Sequence, residues 1–259
     1  MRILVCLKQV PSRDAFLKVN AASTWIEETD ISYEVNEPDV YALEEGLRLK
    51  EKLGGEVIVC TLGPARAAQA IKEALAKGAD RALHLDDAAF ANLDAHGTAK
   101  ALAAAIRKEN PDLVLTGLQS DDFGFAQTGV IMAEILNLPH STIVMEIQAD
   151  SNHLKVKREL EGGWFQWLEM PLPALLTIQS GANKPRYATL KGIMAAKNKP
   201  LQKLTAQDLG LDAEAIQPRQ IISRIYAPQK AAQTEFIEGG PKEIAERLVD
   251  KLKNEARVI

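Results

Sequence analysis

Glu56-Val-Ile-Val-Cys-Thr61, then Gly63-Pro64, then Ala67, Ala70, Ile71, Ala74 and Leu75 on one stripe, then Gly78 and Arg81-Ala-Leu-His-Leu85: this stretch decides the fold. A short run that is apolar on both faces and rich in β-branched residues reads as a buried strand. Apolar residues spaced three and four apart read as a helix lying on it. Proline suits the first turn of a helix, and glycine ends one cheaply by taking the left-handed conformation. The next apolar run comes only after that helix. The two strands must therefore run parallel, because only a parallel pair needs so long a crossover.

The same rhythm extends in both directions. Arg2-Ile-Leu-Val-Cys-Leu7 reads as a buried strand, and Glu37 to Leu53 as a helix with Val40, Leu43, Leu47 and Leu49 on a stripe, Pro38 in the first turn and Gly54-Gly55 at its end. Downstream come a helix from Asp94 to Glu109, halted before Pro111, and a strand over Asp112-Leu-Val-Leu-Thr116. A helix from Gln127 to Asn137 and a strand from Thr142 to Ile147 follow. The expected class is α/β: a doubly wound, mostly parallel sheet covered on both faces. Past residue 150 the rhythm changes. His153–Glu159 and Trp164–Glu169 flank Glu161-Gly162-Gly163 as an antiparallel hairpin, and Pro171 and Pro173 bracket a turn into the strand Ala174–Ile178. Short helical patterns at Tyr187–Lys197 and Thr205–Leu209 precede a last helix at Pro241–Lys253, with Ile244, Leu248 and Leu252 on one stripe. So short a C-terminal stretch builds its own core with difficulty. The expected division is 1–182 as an α/β nucleotide-binding domain and 183–259 as a docking loop and extended arm.

Composition excludes several classes of function. Thirty-one Lys and Arg against 35 Asp and Glu leave a net charge of −4, the wrong sign for a protein that coats nucleic acid. Two cysteines, Cys6 and Cys60, are too few for a disulfide scaffold or a structural zinc site and fit a reducing compartment. No apolar run nears the roughly 20 residues that span a bilayer, and the N-terminus lacks a signal-peptide pattern. The cytoplasm is the expected location. His84, His96, His140 and His153 show no metal-ligand spacing. There is no G-x-S-x-G elbow, no Walker loop and no G-x-G-x-x-G. Glu159, Glu161 and the pair Glu44-Glu45 read as solvated charges on a hairpin and a helix face. The pattern favours binding over side-chain catalysis.

Open parallel sheets hold ligands beyond the carboxyl ends of their strands. Four loops qualify: Lys8 to Asp14, Asn36-Glu-Pro-Asp39, Thr61-Leu-Gly-Pro64, and Gly117-Leu-Gln-Ser-Asp-Asp-Phe-Gly-Phe-Ala-Gln-Thr-Gly129. The last leaves a buried strand and ends in Gln127-Thr128-Gly129 at a helix start, where backbone N–H groups seat phosphate. Asp121 and Asp122 would repel a phosphate and suit ribose hydroxyls or helix caps instead. A polar turn rich in caps accounts for the same residues without a ligand.

Several segments together resemble the beta (small) subunit of electron transfer flavoproteins, bacterial type. They are Asn36-Glu-Pro-Asp39 before Ala42–Lys52, Leu62-Gly-Pro64, Lys77–Arg81, Asp112–Gly117, Gln127-Thr-Gly129, Arg158–Gly163 and, most specifically, Asn183-Lys-Pro-Arg-Tyr-Ala-Thr-Leu-Lys-Gly-Ile-Met194. The resemblance implies a Rossmann-like sheet of the adenine nucleotide alpha hydrolase-like kind, with an added hairpin and an extended C-terminal arm. It also implies a heterodimer with an alpha subunit that holds the redox-active FAD, a structural AMP in this chain, and no catalytic side chain. The AMP pocket would use Cys6, Asn36, Glu37, Pro38, Asp39, Leu62, Gly117, Gln119, Ser120, Asp121, Asp122, Gly124, Gln127 and Thr128. A docking loop, Asn183 to Ala195, would insert Leu190 into an apolar pocket on a dehydrogenase, with Arg186, Tyr187 and Ile193 beside it and Lys191, Lys197 and Lys199 steering. Electrons would pass from flavin-dependent dehydrogenases of acyl-CoA or amine type to a quinone oxidoreductase or respiratory chain. Two rival readings stand: a bifurcating flavoprotein with a second FAD in place of AMP and NADH oxidation, and a stand-alone adenine-nucleotide-binding module. Phe123 and Phe125 favour the smaller ligand.

Overall fold

The computed structural model describes residues 1–150, 152–228 and 234–259. Nine strands make one sheet. In chain order the elements are β1 (Arg2–Cys6), β2 (Gln9–Pro11), β3 (Tyr33–Val35), α1 (Glu37–Leu53), β4 (Glu56–Leu62), α2 (Ala68–Lys77), β5 (Arg81–Leu85), α3 (Ala95–Glu109), β6 (Leu113–Gly117) and α4 (Thr128–Leu136). Then come β7 (His140–Ala149), β8 (His153–Glu159), β9 (Phe165–Pro171), β10 (Ala174–Ile178), α5 (Leu190–Ala196), β11 (Leu201–Leu204) and α6 (Pro241–Asp250).

The sheet order is β11-β5-β4-β1-β6-β10-β7-β8-β9, with β2 and β3 as a separate antiparallel pair. From β11 to β7 every neighbour is parallel, and β8 and β9 continue antiparallel as the expected hairpin. Period-2 alternation explains the layering. Ile3 and Val5 of β1 join a core with Leu43, Leu47 and Ile71 from α1 and α2. Leu4 and Cys6 join one with Leu102, Ile106 and Met132 from α3 and α4. A strand buried on both sides must be apolar where it is covered, and β1 is so from Ile3 to Cys6.

The chain steps from β1 to β4 to β5 in one direction, then returns to the other side of β1 with β6. That reversal places a topological switch point between the carboxyl ends of β1 and β6, the usual position of a ligand crevice.

Three strands went unread in the sequence. The β2–β3 pair is too short to show periodicity. β11 pairs in parallel with β5, and Leu204, Ala206, Leu209 and Ile216 behind it are buried in the α3–α4 core. The expected helical turn at 205–209 is a hydrogen-bonded turn, in which Asp208 accepts from the Thr205 N–H and hydroxyl. The chain divides into two compact units, residues 1–18 with 27–223, and residues 19–26 with 224–259. In the second, an antiparallel bridge joins Val19 and Ile26, and the Ile225 N–H donates to the Ser23 carbonyl at 2.9 Å. The last helix runs to Asp250 and continues as a wider turn over Lys251–Glu255, with no residue of α6 buried. Residues 229–233 of the expected arm lie outside the described residues. Among those described, no helix is long and apolar enough to cross a membrane, and no side-chain cluster suits a metal ion.

Candidate functional site

The switch-point crevice is built around α1. Pro38 fits the first turn because its missing N–H is not needed there. Asp39, in the same turn, is buried and ties two strand ends together: its carboxylate accepts the Lys8 N–H at 2.7 Å and the Gly117 N–H at 2.9 Å. Burial pushes its carboxyl up to about 7, against the pull of those two N–H groups, the Asn36 amide and the nearby Lys8 charge. Gly117 is required by this contact, since a Cβ there would lie 2.7 Å from Pro38 Cβ and 2.8 Å from the Asp39 nitrogen.

Asn36 stands where a helix N-cap is expected, yet its side chain makes no cap. It reaches across the crevice instead. Nδ2 donates to the Gln119 carbonyl and Oδ1 accepts the Asp121 N–H, both at 2.8 Å. The missing cap comes from the opposite loop, where Asp121 accepts the Glu37 N–H at 3.4 Å. An anionic side chain over a helix N-terminus is favourable.

The two aspartates are not bare negative charges. Lys8 donates to Asp122 at 2.7 Å and to the Ser120 hydroxyl at 3.3 Å. Arg13 pairs with Glu37 and lies 3.7 Å from Asp121. Ser180 on the far wall donates to Glu37 at 3.3 Å. These cations offset the repulsion that the sequence alone assigned to Asp121 and Asp122. Phe123 and Phe125 stack with centroids 5.5 Å apart, and the Lys8 ammonium sits 4.5 Å from the Phe123 ring.

At the other side of the loop, α4 begins at Thr128 without a side-chain cap from Gln127. Its first turn seats tightly because Gly129 lies against Thr116 and Thr177, where a Cβ would come within 2.9 and 2.7 Å. Uncapped N–H groups at a helix start suit an anion. Cys6 is buried at the end of β1 beside Cys60, its register partner. Burial pushes the Cys6 thiol well above its ordinary value and that of Cys60 up to about 12. Both stay protonated and act as small apolar side chains. Leu62 is half-buried at the end of β4, and Gly124 turns the loop at φ 64°. The nucleotide-site residues named from the sequence thus lie at the carboxyl ends of β1, β4 and β6, on the loop after β6 and at the starts of α1 and α4.

The docking segment lies elsewhere. Tyr187 is 92% exposed and Leu190 76%, with Ile193 and Met194 also exposed. Arg186 is turned inward. Its guanidinium holds Glu44 and Glu51 of α1. This corrects the reading of Glu44 as a solvated charge: its side chain is 4% exposed, paired with Arg186 and Arg48 at 2.8 and 2.9 Å. Its partner is 142 residues away in the chain, so no local pattern announces it.

The fold is a doubly wound α/β sheet whose switch point holds a crevice lined by paired charges, the position where sheets of this class hold their ligands. The chain belongs to the electron transfer flavoprotein family: residues 23–209 match the model of the electron transfer flavoprotein domain. It is 39% identical over 256 residues to the electron transfer flavoprotein subunit beta of Methylophilus methylotrophus, covering 96% of this chain and 97% of the relative. It is 37% identical over 261 residues to the Bos taurus subunit beta, covering 100% and 99%. It is also 38% identical over 260 residues to the caffeyl-CoA reductase-Etf complex subunit CarD of Acetobacterium woodii, covering 98% of both chains.

Proposed function

We propose that this chain is the beta half of a heterodimeric electron carrier. It pairs with an alpha subunit that holds most of the FAD, and it binds AMP in the switch-point crevice as a structural strut. The reading rests on near end-to-end similarity to beta subunits from organisms as distant as a methylotrophic bacterium and cattle. The crevice supports it independently. Lys8 and Arg13 offset part of the negative charge of Glu37, Asp121 and Asp122, and the uncapped start of α4 offers N–H groups to a phosphate. Asn36 and Asp39 hold the loops in place. FAD, when held by the alpha subunit, supplies the redox chemistry; this chain's residues bind, orient and dock.

The exposed segment Tyr187–Met194 meets flavin-dependent dehydrogenases of acyl-CoA or amine type, with Leu190 as the apolar anchor. A quinone oxidoreductase or other respiratory acceptor then discharges the carrier. Residues 183–259 contribute that loop and an arm that clasps the alpha subunit; the portion 224–259 forms its own unit with an α6 that buries nothing. A second reading, with a second FAD in the crevice and NADH as reductant, draws on the similarity to CarD, a subunit of a reductase complex. Phe123 and Phe125, stacked on the loop after β6, favour the smaller ligand, AMP.

Co-purification with the alpha subunit decides between them. The expected count is one FAD and one AMP per heterodimer, with reduction by a dehydrogenase and none by NADH. Two FAD per dimer with reduction by NADH would establish the second reading. A stable, colourless monomer that binds ATP in preference to AMP would point to a stand-alone nucleotide-binding module.

A further inference from the structure

Helix α1 does two jobs. Its first turn organises the crevice, and its outer face takes hold of the segment that follows β10. Asn183 Nδ2 donates to the Tyr41 carbonyl at 3.0 Å and to Glu45 at 3.1 Å, and Arg48 donates to the Lys184 carbonyl at 3.3 Å. Arg186 is the centre of this contact. Its backbone N–H, Nε and Nη2 reach Glu44 at 3.1, 2.8 and 3.1 Å, while Nη1 and Nη2 reach Glu51, two turns further along the same helix face.

Burying Glu44 is costly, and the fork of Arg186 is what offsets it. Burial alone would raise the Glu44 carboxyl, but the hydrogen bonds from Arg186 and Arg48 hold it below its ordinary value. Beyond Arg186 the chain is pinned once more. Thr189 caps α5 by accepting the Gly192 N–H at 3.0 Å, and a Cβ on Gly192 would land on the Ala76 carbonyl of α2. Between these two fixed points lie the exposed Tyr187 and Leu190, with Ile193 and Met194 on the following turn. An apolar segment fixed at both ends loses little conformational freedom when a partner covers it, and preorganisation of that kind strengthens binding without adding contacts.

We propose that Glu44, Arg186 and Glu51 are positioning residues: a clamp that holds the exposed segment 187–194 in its docking conformation. The inference rests on the docking role proposed above. Arg186 spends its charge inside the chain, and Leu190 makes the contact. A lysine at position 186 keeps the charge but not the planar fork, so it cannot serve both carboxylates at once.

The test uses the alpha–beta complex carrying Arg186→Lys, Glu44→Gln or Glu51→Gln, with Leu190→Ala as the reference. The electron donor is an acyl-CoA dehydrogenase reduced by its acyl-CoA, or an amine dehydrogenase reduced by its amine, whichever reduces the wild-type complex. The clamp variants are expected to raise the apparent KM for the dehydrogenase about fivefold or more while the limiting rate stays within about twofold. Amide exchange over 190–196 should rise about tenfold while exchange in β1 and β6 stays constant. Glu51→Gln, at the exposed end of the clamp, leaves Glu44 paired and guards against a variant that merely misfolds. The double variant Glu44→Gln with Arg186→Met leaves neither charge unpaired. It should restore thermal stability relative to Arg186→Met alone but should not restore KM. Recovery of both would mean that the pair only stabilises the fold, and would overturn the proposal. So would an unchanged KM in every clamp variant while Leu190→Ala raises it. If Leu190→Ala also leaves KM unchanged, the docking role itself fails and the clamp proposal falls with it.

Discussion

Asn36→Ala probes the crevice most directly. Asn36 is 1% exposed and joins α1 to the loop after β6 through two side-chain hydrogen bonds, both 2.8 Å. Alanine removes them and leaves the backbone bonds of Asn36 to Lys8, Asp39 and Val40 intact. A net hydrogen bond contributes about 0.5–1.5 kcal/mol, and two are lost here. Gln119 is exposed and its carbonyl can rehydrate, so the combined loss is about 2 kcal/mol. At about 1.4 kcal/mol per tenfold, the loop 119–122 should open about thirtyfold more often. Hydrogen–deuterium exchange at the Asp121 amide reads this opening, with Leu4 and Val114 in the central strands as references. Asp121 should exchange about thirtyfold faster while the references stay unchanged. Unchanged exchange at Asp121, or an equal rise at all three amides, would refute the pin. AMP retention in the purified complex should fall in parallel.

Asp39 carries a pH signature. Its carboxyl is raised to about 7, so the folded chain keeps a proton that the unfolded chain has already released. Its contribution to stability therefore falls as pH rises from about 4 towards 7, by at most about 1.4 kcal/mol per pH unit. Asp39→Asn has no proton to lose, and its stability relative to wild type should climb between about pH 4 and 7 and level off above that in denaturant unfolding; a flat or falling difference over that range contradicts the assignment. Gly117→Ala must push the start of α1 away from β6, costing about 1–3 kcal/mol in the same assay and loosening AMP; wild-type stability would show that the approach is not tight. Leu190→Ala should slow transfer from the dehydrogenase about tenfold, near 1.4 kcal/mol, with FAD and AMP retained. Unaltered transfer would remove Leu190 as the anchor.

Much of the fold was legible in the residues. Helix α1 spans the Glu37–Leu53 read from its stripe, its Pro38 and its terminal glycines. β5 and β10 also fall on the residues read from their apolar runs. These are local signals, since periodicity, caps and breakers act within a few turns of chain. β11 escaped because Leu201–Leu204 is a four-residue edge strand, Leu-Gln-Lys-Leu, with three exposed positions. It is held by pairing to β5 rather than by its own pattern. The candidate site divides the same way. The loop after β6 lies at a strand end as read and Thr128 does open α4, whereas Gln9–Pro11 of the first loop form β2 and Thr61 and Leu62 still belong to β4. Asn36, read from the sequence as a pocket residue, also pins α1 to the loop after β6. Asp121 and Asp122 were read as repelling a phosphate and as suited to caps; Asp121 does cap the start of α1, and both stand beside cations. Glu44 looked solvated and proved to be the buried end of a clamp.

The amino-acid sequence by itself determined the class of sheet, the order of its elements and the segments that carry the family likeness, because hydrophobic period and backbone preference act over short stretches of chain. Only the tertiary structure decided which of those segments meet. The return of the chain to the far side of β1 brings Lys8, Asn36 and Asp122 to one crevice and Glu44 to Arg186 on one helix face. Such contacts depend on strand order and close packing across scores of residues, and nothing within a few turns of any one of these side chains encodes its partner.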